Sequence, residues 1–218
     1  MVKAVLLDVD GTLIDSNDAH ARAWVDAGRE FGHDIEFGHV RRLIGMGGDR
    51  VLPRLTGLEE ESDAGARLLD RRGEIFRERY LPELRAFPGA RELLERLRAD
   101  DRTLVVATSA SAEDLKALLK QAGLGDLIED STNSDEADSS KPSPDIVEAA
   151  LAKSGAAAAE AIMLGDTPYD VKAAQRAGVR VVALRCGGWG DAELRGAAEI
   201  HEDPADLLAH YDESLLSR

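Results

Sequence analysis

Apolar residues along the chain fall into short runs that are separated by segments with helical spacing. Four of these runs read as buried parallel strands, at residues 2–7, 104–107, 161–164 and 179–184, and a weaker run at 127–129 predicts a fifth. Helices are predicted between and after them, over residues 91–99, 112–122, 144–153, 171–177 and 204–216. Strands that alternate with helices predict an α/β fold built on a doubly wound parallel sheet.

A different pattern separates the first strand from the second. Residues 16–31 repeat apolar positions at helical spacing, with Ser16 or Asn17 as the N-cap, and a longer helix is predicted over residues 63–84. No strand pattern interrupts the region. We therefore predict an α/β core domain of residues 1–15 and 87–218, and an all-helical cap domain of residues 16–86.

The middle of this helical region is rich in glycine. Short helices are predicted over residues 40–44 and 49–55, on either side of the Gly-Met-Gly-Gly stretch at residues 45–48. That stretch does not match a dinucleotide-binding fingerprint, because no strand precedes it. We interpret it as a mobile loop of the cap, and we expect the cap to cover the residues that follow the first strand.

Two carboxylates follow the first predicted strand directly. Asp8 and Asp10 share a face of an extended segment because side chains alternate, and Gly11 lets the chain turn away. Ligands in open α/β sheets bind beyond the carboxyl ends of the strands. Two clustered carboxylates repel each other unless a cation or a proton intervenes, which predicts a hard divalent metal, most simply Mg²⁺. In isolation the motif could equally be a polar turn.

Polar side chains also follow the later strands. Thr108 and Ser109 follow the second strand, Asp166 and Asp170 follow the run at residues 161–164, and Lys141 lies in the polar loop between them. Because the carboxyl ends of parallel strands share one edge of a sheet, these side chains are expected to converge with the first acidic pair. Each has a plainer alternative, as a helix cap or as a solvated loop residue.

Composition narrows the possible partners and the setting. A net charge of −15 over 218 residues argues against nucleic-acid binding, and no stretch is long enough to cross a membrane. The first residues lack the pattern of a signal peptide, because their apolar run is short, contains Lys3 and ends in acids. Cys186 is the single cysteine, so we predict a packing role for it, no disulfide and a cytoplasmic location.

Cations for an anionic substrate are concentrated in the predicted cap. Residues 16–86 contain 12 Arg and no Lys against 14 acidic residues, so most of the negative charge lies elsewhere. We expect most of these arginines to solvate helix surfaces and one or two to face a substrate. The arginines considered are Arg22, Arg29, Arg41, Arg42, Arg50, Arg54, Arg71, Arg72, Arg77 and Arg79.

Four sequence motifs, DVDGTL, VVATS, SSKPSPD and LGDTPYD, stand in this order along the chain. In order and chemistry they resemble the four motifs of the haloacid dehalogenase superfamily, and the resemblance covers nearly the whole chain. The superfamily has a Rossmann-like core. The helical insert looks like the cap of the subgroup that includes phosphoglycolate phosphatase and β-phosphoglucomutase. The resemblance implies an Mg²⁺-dependent phosphatase that acts on a small phosphorylated metabolite, as a monomer or a weak homodimer.

The resemblance also implies roles for individual residues. Asp8 looks like the nucleophile that forms an aspartyl-phosphate, and Asp10 looks like the general acid and base, with a pKa that its anionic surroundings are expected to raise. Asp8, Asp10 through its backbone carbonyl, and Asp166 would hold Mg²⁺, with Asp170 in support. The residues expected to contact substrate are Thr108, Ser109, Lys141, His20 and Arg50, of which Thr108 and Lys141 would stabilise the transferring phosphoryl group.

Three other functions remain as alternatives. A phosphomutase of the β-phosphoglucomutase type ranks second, because Asn17, His20 and Trp24 fall where that group has its hinge and its His-x-x-x-Trp helix. His20 could also simply pack on its helix. A dehalogenase ranks lower, because dehalogenases of the superfamily lack the second Asp of the pair. A non-catalytic binding protein is disfavoured by the intact set of polar residues at the strand ends.

Overall fold

The computed structural model describes residues 1–128, 130–133 and 139–218. Its centre is a parallel sheet whose six described strands have the order β3-β2-β1-β4-β5-β6. The strands are β1 (Ala4–Leu7), β2 (Thr103–Ala107), β3 (Asp130–Thr132), β4 (Ala161–Gly165), β5 (Arg180–Leu184) and β6 (Glu199–His201). This order confirms the predicted doubly wound α/β fold.

The described helices lie between the strands and after the last strand. Those between β1 and β2 are α1 (Asn17–Glu30), α2 (Phe37–Arg41), α3 (Gly48–Thr56), α4 (Asp63–Ile75) and α5 (Ala90–Ala99). Those that follow β2 are α6 (Ala112–Ala122), α7 (Asp145–Ser154), α8 (Pro168–Arg176) and α9 (Pro204–Ala209). After α4 the chain continues as a π-helical turn at Phe76–Tyr80 and a 3₁₀ turn at Leu81–Glu83, so the long helix predicted over residues 63–84 has two irregular final turns.

The sheet is apolar because helices cover both of its faces. Along β1, Ala4 and Leu6 belong to one buried cluster, and Val5 and Leu7 belong to another on the opposite face. The first cluster is completed by α7 and α8, and the second by α5, α6 and α9. A strand that is buried on both faces needs a continuous apolar run, which is why the strand pattern is legible in the sequence.

The helical insert packs on itself and on the core. α1 contacts both α2 and α4, and apolar side chains of the insert such as Trp24 and Leu68 join the same buried cluster as Val5 and Leu7. No strand interrupts residues 16–86, all of which are described. The division into a core domain and a separate cap domain stays a prediction.

Three sequence predictions need correction. The strand predicted at residues 127–129 is wrong: the third strand is Asp130–Thr132, and Glu129 itself lies outside the described residues. The closing helix predicted over residues 204–216 ends at Ala209 and gives way to two 3₁₀ turns. The sixth strand, Glu199–His201, was not predicted. Of the polar loop predicted before Lys141, the acidic residues Asp135, Glu136 and Asp138 lie outside the described residues.

Candidate active site

The candidate site lies where the strand order reverses. β1 pairs with both β2 and β4, so the chain runs outward from β1 in one direction and then returns to its other side. In doubly wound sheets this reversal opens a crevice at the carboxyl ends of the two central strands. Asp8 follows β1 and Asp166 follows β4, which places both carboxylates at the mouth of that crevice.

Asp8 is held by a buried lysine and a buried hydroxyl. The Nζ atom of Lys141 lies 2.6 Å from Asp8 Oδ1 and 2.7 Å from Asp170 Oδ1, and the side chain of Lys141 is 0% exposed. Thr12 Oγ1 lies 3.0 Å from Asp8 Oδ2 and 2.9 Å from Asp166 Oδ1. One hydroxyl proton can serve only one of these two carboxylates at a time, so Thr12 links them without neutralising either.

Asp166 lies in a space that two glycines make. Its Oδ2 accepts a hydrogen bond of 3.1 Å from Asn17 Nδ2. Gly11 has a φ of +79°, and a Cβ there would lie 2.5 Å from Asp166 Oδ2, while a Cβ on Gly187 would overlap the same carboxylate. Both backbone segments can approach Asp166 this closely only because neither residue has a side chain.

Asp170 contacts the lysine and lies in the first turn of α8. Its Oδ2 accepts hydrogen bonds from the backbone N–H of Thr167 at 3.0 Å and from Thr167 Oγ1 at 2.6 Å. Thr167 Oγ1 in turn lies 3.2 Å from the Asp170 backbone nitrogen, which makes a reciprocal capping box at the helix N-terminus. Because Lys141 contacts the other oxygen, Asp170 is fixed at both ends and orients the lysine toward Asp8.

The buried acids carry more negative charge than the lysine balances. Burial, opposed by Lys141 and reinforced by Asp170 and Asp10, raises the pKa of Asp8 to about 7. Burial and the neighbouring Asp8 and Asp170 also raise the pKa of Asp166 well above its usual value. For Lys141 the two carboxylates outweigh the effect of burial, so its pKa is raised and it stays charged. The cluster therefore carries excess negative charge, which a bound cation would neutralise.

The donor set of this cluster fits a hard divalent cation. Asp8, Asp166 and Asp170 each offer a carboxylate oxygen, and these oxygens lie within 4.8 Å of one another. All three side chains are buried, and oxygen donors of this kind suit Mg²⁺. Asp170 accepts two hydrogen bonds on Oδ2 and contacts Lys141 through Oδ1, which favours a supporting position. Each oxygen of Asp8 and Asp166 has a single polar contact, so each keeps a lone pair for a metal.

We expect the raised pKa of Asp8 to make the metal-free protein less stable as pH rises. An acid whose folded pKa exceeds its unfolded value stabilises the fold below the unfolded pKa, and this contribution is lost between about pH 4 and about pH 7. Urea unfolding of EDTA-treated protein at pH 5 and pH 7.5 measures it, with Asp8→Asn as the reference that cannot titrate at this position.

The wild type should lose more stability than Asp8→Asn over this interval, and Mg²⁺ should restore it at pH 7.5. Asp166→Asn is the matched variant for metal binding, and a higher Mg²⁺ concentration should be needed to stabilise it. An identical pH dependence in wild type and Asp8→Asn would contradict the raised pKa.

Asp10, two residues after Asp8, has its own partners. Its Oδ1 accepts hydrogen bonds from Ser16 Oγ at 2.5 Å and from His20 Nε2 at 2.8 Å. Burial would raise its pKa, but His20, the bond from Ser16 and the more distant Arg72 outweigh burial and lower it. The expectation that crowding makes Asp10 more basic is therefore wrong, and the pKa values of the two motif carboxylates are pushed in opposite directions.

His20 is itself fixed by a buried arginine of the insert. Arg72 Nη2 lies 2.5 Å from His20 Nδ1, and the imidazole stacks on Phe76 at 4.0 Å between ring centroids. Arg72 Nη1 also donates to Asp114 Oδ2 at 3.2 Å, across to the start of α6. A chain of contacts thus runs from Asp10 through the insert to the core.

Arg72 is not one of the arginines that solvate helix surfaces. Its side chain is only 17% exposed, lines the cavity and contacts Asp114, which is buried. Burial lowers the pKa of Arg72, partly offset by Asp114 and Asp10. Thr12, Ser16, Arg72 and Asp114 are the contacts that sequence reasoning missed. Thr12 had a signal, because it stands inside the DVDGTL motif.

A cavity of about 540 Å³ opens between the insert and the sheet edge. Asp8 and Asp10 lie on its wall together with Thr108, Ser109 and His20. Of the remaining substrate candidates, Lys141 is buried beside Asp8 and does not line the cavity. Arg50 does not line it either: its Nε atom donates to the backbone oxygen of Ser140 at 3.2 Å.

The glycine-rich stretch and the cysteine also border the site. Gly45, Met46 and Gly48 line the cavity, and a Cβ on Gly45, whose φ is +106°, would lie 2.8 Å from Thr167. The stretch therefore contacts the core above the site, as expected of a covering segment.

Cys186 Sγ donates to the backbone oxygen of Gly11 at 3.3 Å, and burial and Asp166 raise the pKa of its thiol, which disfavours a nucleophilic role.

The chain is similar to known proteins over most of its length. The family model described as haloacid dehalogenase-like hydrolase matches residues 5–184. The chain is 31% identical to a "probable phosphatase IndB" of Dickeya dadantii, over 86% of this chain and 83% of that one. It is 33% identical to a phosphoglycolate phosphatase of Rhodospirillum rubrum, over 86% and 81% of the two chains.

A solved structure has a similar fold over nearly the whole chain. The crystal structure of a hydrolase from Pseudomonas syringae superposes with a TM-score of 0.90 at 33% identity, covering 97% of this chain and 98% of that one. Within the described ranges of the chain, no helix is both long and apolar enough to span a membrane. The predicted family is confirmed, and with it the prediction of an enzyme: the chain belongs to the haloacid dehalogenase-like hydrolases.

Proposed function

We propose that the protein is a phosphatase that hydrolyses a small-molecule phosphomonoester through a phosphorylated Asp8. The observation that carries this proposal is the position of Asp8 on the cavity wall, in contact with the buried ammonium group of Lys141 and close to the carboxylates of Asp166 and Asp170. The names of the curated relatives, which include phosphatases, support it.

Asp8 acts first as the nucleophile. Its free lone pair attacks phosphorus, the bond to the leaving oxygen breaks, and the phosphoryl group is carried on the carboxylate. Lys141 holds its positive charge beside the attacking oxygen and offsets the charge that spreads over the transferring group. Thr108, buried at the end of β2, and Ser109 lie on the same wall and are placed to donate hydrogen bonds to phosphoryl oxygens.

Asp10 moves protons in both halves of the reaction. His20 and Ser16 bond only its Oδ1, which leaves Oδ2 to exchange a proton with the leaving oxygen and then with the attacking water. The lowered pKa of Asp10 keeps its carboxylate unprotonated, as a base must be before it accepts the proton of the attacking water. For the acid role, Asp10 takes up a proton as the phosphoryl anion binds, because a neighbouring negative charge raises a carboxyl pKa.

The residues that would hold Mg²⁺ are Asp8, Asp166 and the backbone carbonyl of Asp10. When bound, the ion supplies positive charge that neutralises phosphoryl oxygens and orients the group for in-line attack. Asp170 positions Lys141, and Thr12 and Asn17 hold Asp166 in place. The cytoplasmic location, and a monomeric or weakly dimeric state, stay predictions.

A phosphomutase is the second candidate, since His20 and Trp24 both line the cavity. A mutase must also hold a second phosphate while the intermediate turns around, which requires a free cation on the far wall. The two arginines among the cavity-lining residues, Arg72 and Arg77, are both paired with Asp114. This pairing favours hydrolysis.

We expect Asp10→Asn to discriminate between leaving groups. Loss of the general acid should slow hydrolysis of an alkyl phosphate by about 10²–10⁴-fold, because an alkoxide leaves poorly without a proton. p-Nitrophenolate needs no proton, so single-turnover release of p-nitrophenol should fall much less, while the following release of phosphate should be slow. Asp15→Asn is the matched control, since Asp15 is exposed. Equal losses in all steps would assign Asp10 another role.

The substrate itself is best found by a screen for phosphate release with Mg²⁺ present, over phosphorylated sugars, short phosphoacids and nucleotides. Mg²⁺-dependent release from at least one class supports the proposal. No release from any of them, nor from p-nitrophenyl phosphate, would contradict it.

A further inference from the structure

Beyond the catalytic pair, the cavity wall carries more acidic than basic side chains. Among the residues that the structure describes, five carboxylates line it besides Asp8 and Asp10, together with two arginines. The acids are Asp49, Glu60, Asp70, Glu113 and Asp114. They come from both the insert and the start of α6, so they surround the part of the cavity that the non-phosphorylated portion of a substrate would occupy.

The two arginines on this wall are already committed to carboxylates. Arg77 Nη1 lies 3.0 Å from Asp114 Oδ1 and 3.4 Å from Glu113 Oε2, and Arg72 contacts Asp114 and His20. Asp114 is only 4% exposed. If these arginines turned to a second anionic group on the substrate, a buried carboxylate would lose its partners, which is strongly unfavourable.

The acids on the insert side are not neutralised in this way. Within residues 1–128, 130–133 and 139–218, Glu60 and Asp70 form no ion pair, and the nearest charged partner of Asp49 is Arg50 at 3.8 Å. Burial and the neighbouring Asp49 and Glu61 raise the pKa of Glu60. Residues 134–138, which precede the cavity-lining Ser139, have the sequence Ser-Asp-Glu-Ala-Asp and so contain no basic residue.

We propose, on the basis of the phosphatase function above, that the substrate is a phosphomonoester whose alcohol portion carries a positively charged amino group. The phosphoryl end binds at Asp8, with Lys141 behind that carboxylate, and the ammonium group of the substrate points toward Glu60 and Asp70. A carboxylate or second phosphate at the same place meets unpaired negative charge and is rejected.

Three phosphomonoesters of matched size test this assignment. 2-Aminoethyl phosphate, 2-hydroxyethyl phosphate and 2-phosphoglycolate differ mainly in a charge of plus one, zero and minus one at the far end. Each is measured both as a substrate with Mg²⁺ and as a competitor of p-nitrophenyl phosphate. We expect the order amine, alcohol, acid, with about a tenfold difference between the extremes that shrinks as ionic strength rises.

Paired variants test whether Glu60 and Asp70 cause the preference for the amine over the acid. In the double variant Glu60→Gln with Asp70→Asn, the preference for the amine over the acid should fall severalfold, while turnover of 2-hydroxyethyl phosphate should stay unchanged. Glu61→Gln is the matched control, because Glu61 is exposed but does not line the cavity. It should keep the preference.

The outcomes separate the two proposals. Suppose that p-nitrophenyl phosphate is hydrolysed and 2-phosphoglycolate is processed or bound with the same efficiency as 2-aminoethyl phosphate. The amine assignment is then overturned and the phosphatase stands. The same conclusion follows if p-nitrophenyl phosphate is hydrolysed and none of the three compounds competes with it. If no phosphomonoester is hydrolysed, including p-nitrophenyl phosphate, the proposed function fails and the assignment fails with it.

Discussion

Asp8→Asn is expected to abolish phosphatase turnover, by about 10⁴-fold or more, while the protein remains folded. The amide keeps nearly the volume of the carboxylate but cannot attack phosphorus. It also removes one negative charge from a buried cluster in which the pKa values of Asp8 and Asp166 are both raised, so the fold should tolerate the change. Steady-state phosphate release and a thermal melt measure both properties.

The melt distinguishes a lost nucleophile from a lost fold. A melting temperature equal to or above that of the wild type, together with activity at background, is the expected result. Substantial residual turnover with a normal melt would remove Asp8 from the nucleophile role, whichever residue then took it.

Lys141→Met is expected to lose both activity and stability. Lys141 is fully buried and contacts Asp8 and Asp170 at 2.6 and 2.7 Å, so its loss leaves two buried carboxylates without their cation. Breaking a buried ion pair from one side costs about 3–5 kcal/mol in the free energy of unfolding. Activity should fall because the charge beside the attacking carboxylate is gone.

Urea unfolding and phosphate release measure this prediction. Lys116→Met is the matched control, because Lys116 lies on the exposed face of α6, and it should change neither property. High Mg²⁺ should recover part of the stability of Lys141→Met, since it supplies positive charge to the same carboxylates. A variant as stable and active as the Lys116 control would contradict the placement of the lysine.

The strands of the sheet could be predicted because a strand that is buried on both faces appears in the sequence as a continuous apolar run. β1, β2, β4 and β5 are nearly uninterrupted apolar runs, as covered parallel strands must be. β6 was missed because Glu199-Ile200-His201 is short, and none of its residues is fully buried. The third strand, Asp130–Thr132, is polar, so the hydrophobic pattern predicts the strand at the apolar residues just before it.

The core of the site could be predicted for a topological reason. Asp8, Lys141, Asp166 and Asp170 converge because parallel strands end at one edge, which sequence order alone implies. The contact between Arg72 and Asp114 joins a helix of the insert to α6, residues 42 positions apart, and depends on how the insert packs. No local pattern encodes that distance, so neither Arg72 nor the lowered pKa of Asp10 could be derived from the sequence.

The central claim is that turnover passes through a phosphoryl group on Asp8, and it can be observed directly. Asp10→Asn protein is mixed with p-nitrophenyl phosphate and Mg²⁺ and quenched in acid, which preserves acyl phosphates. Tryptic residues 4–22 are then analysed by mass spectrometry, with borohydride reduction to mark the modified carboxylate. The account predicts one phosphoryl group on Asp8, formed as p-nitrophenol is released and absent when the same protein also carries Asp8→Asn. Release of p-nitrophenol with no phosphorylated Asp8 in that peptide would contradict it.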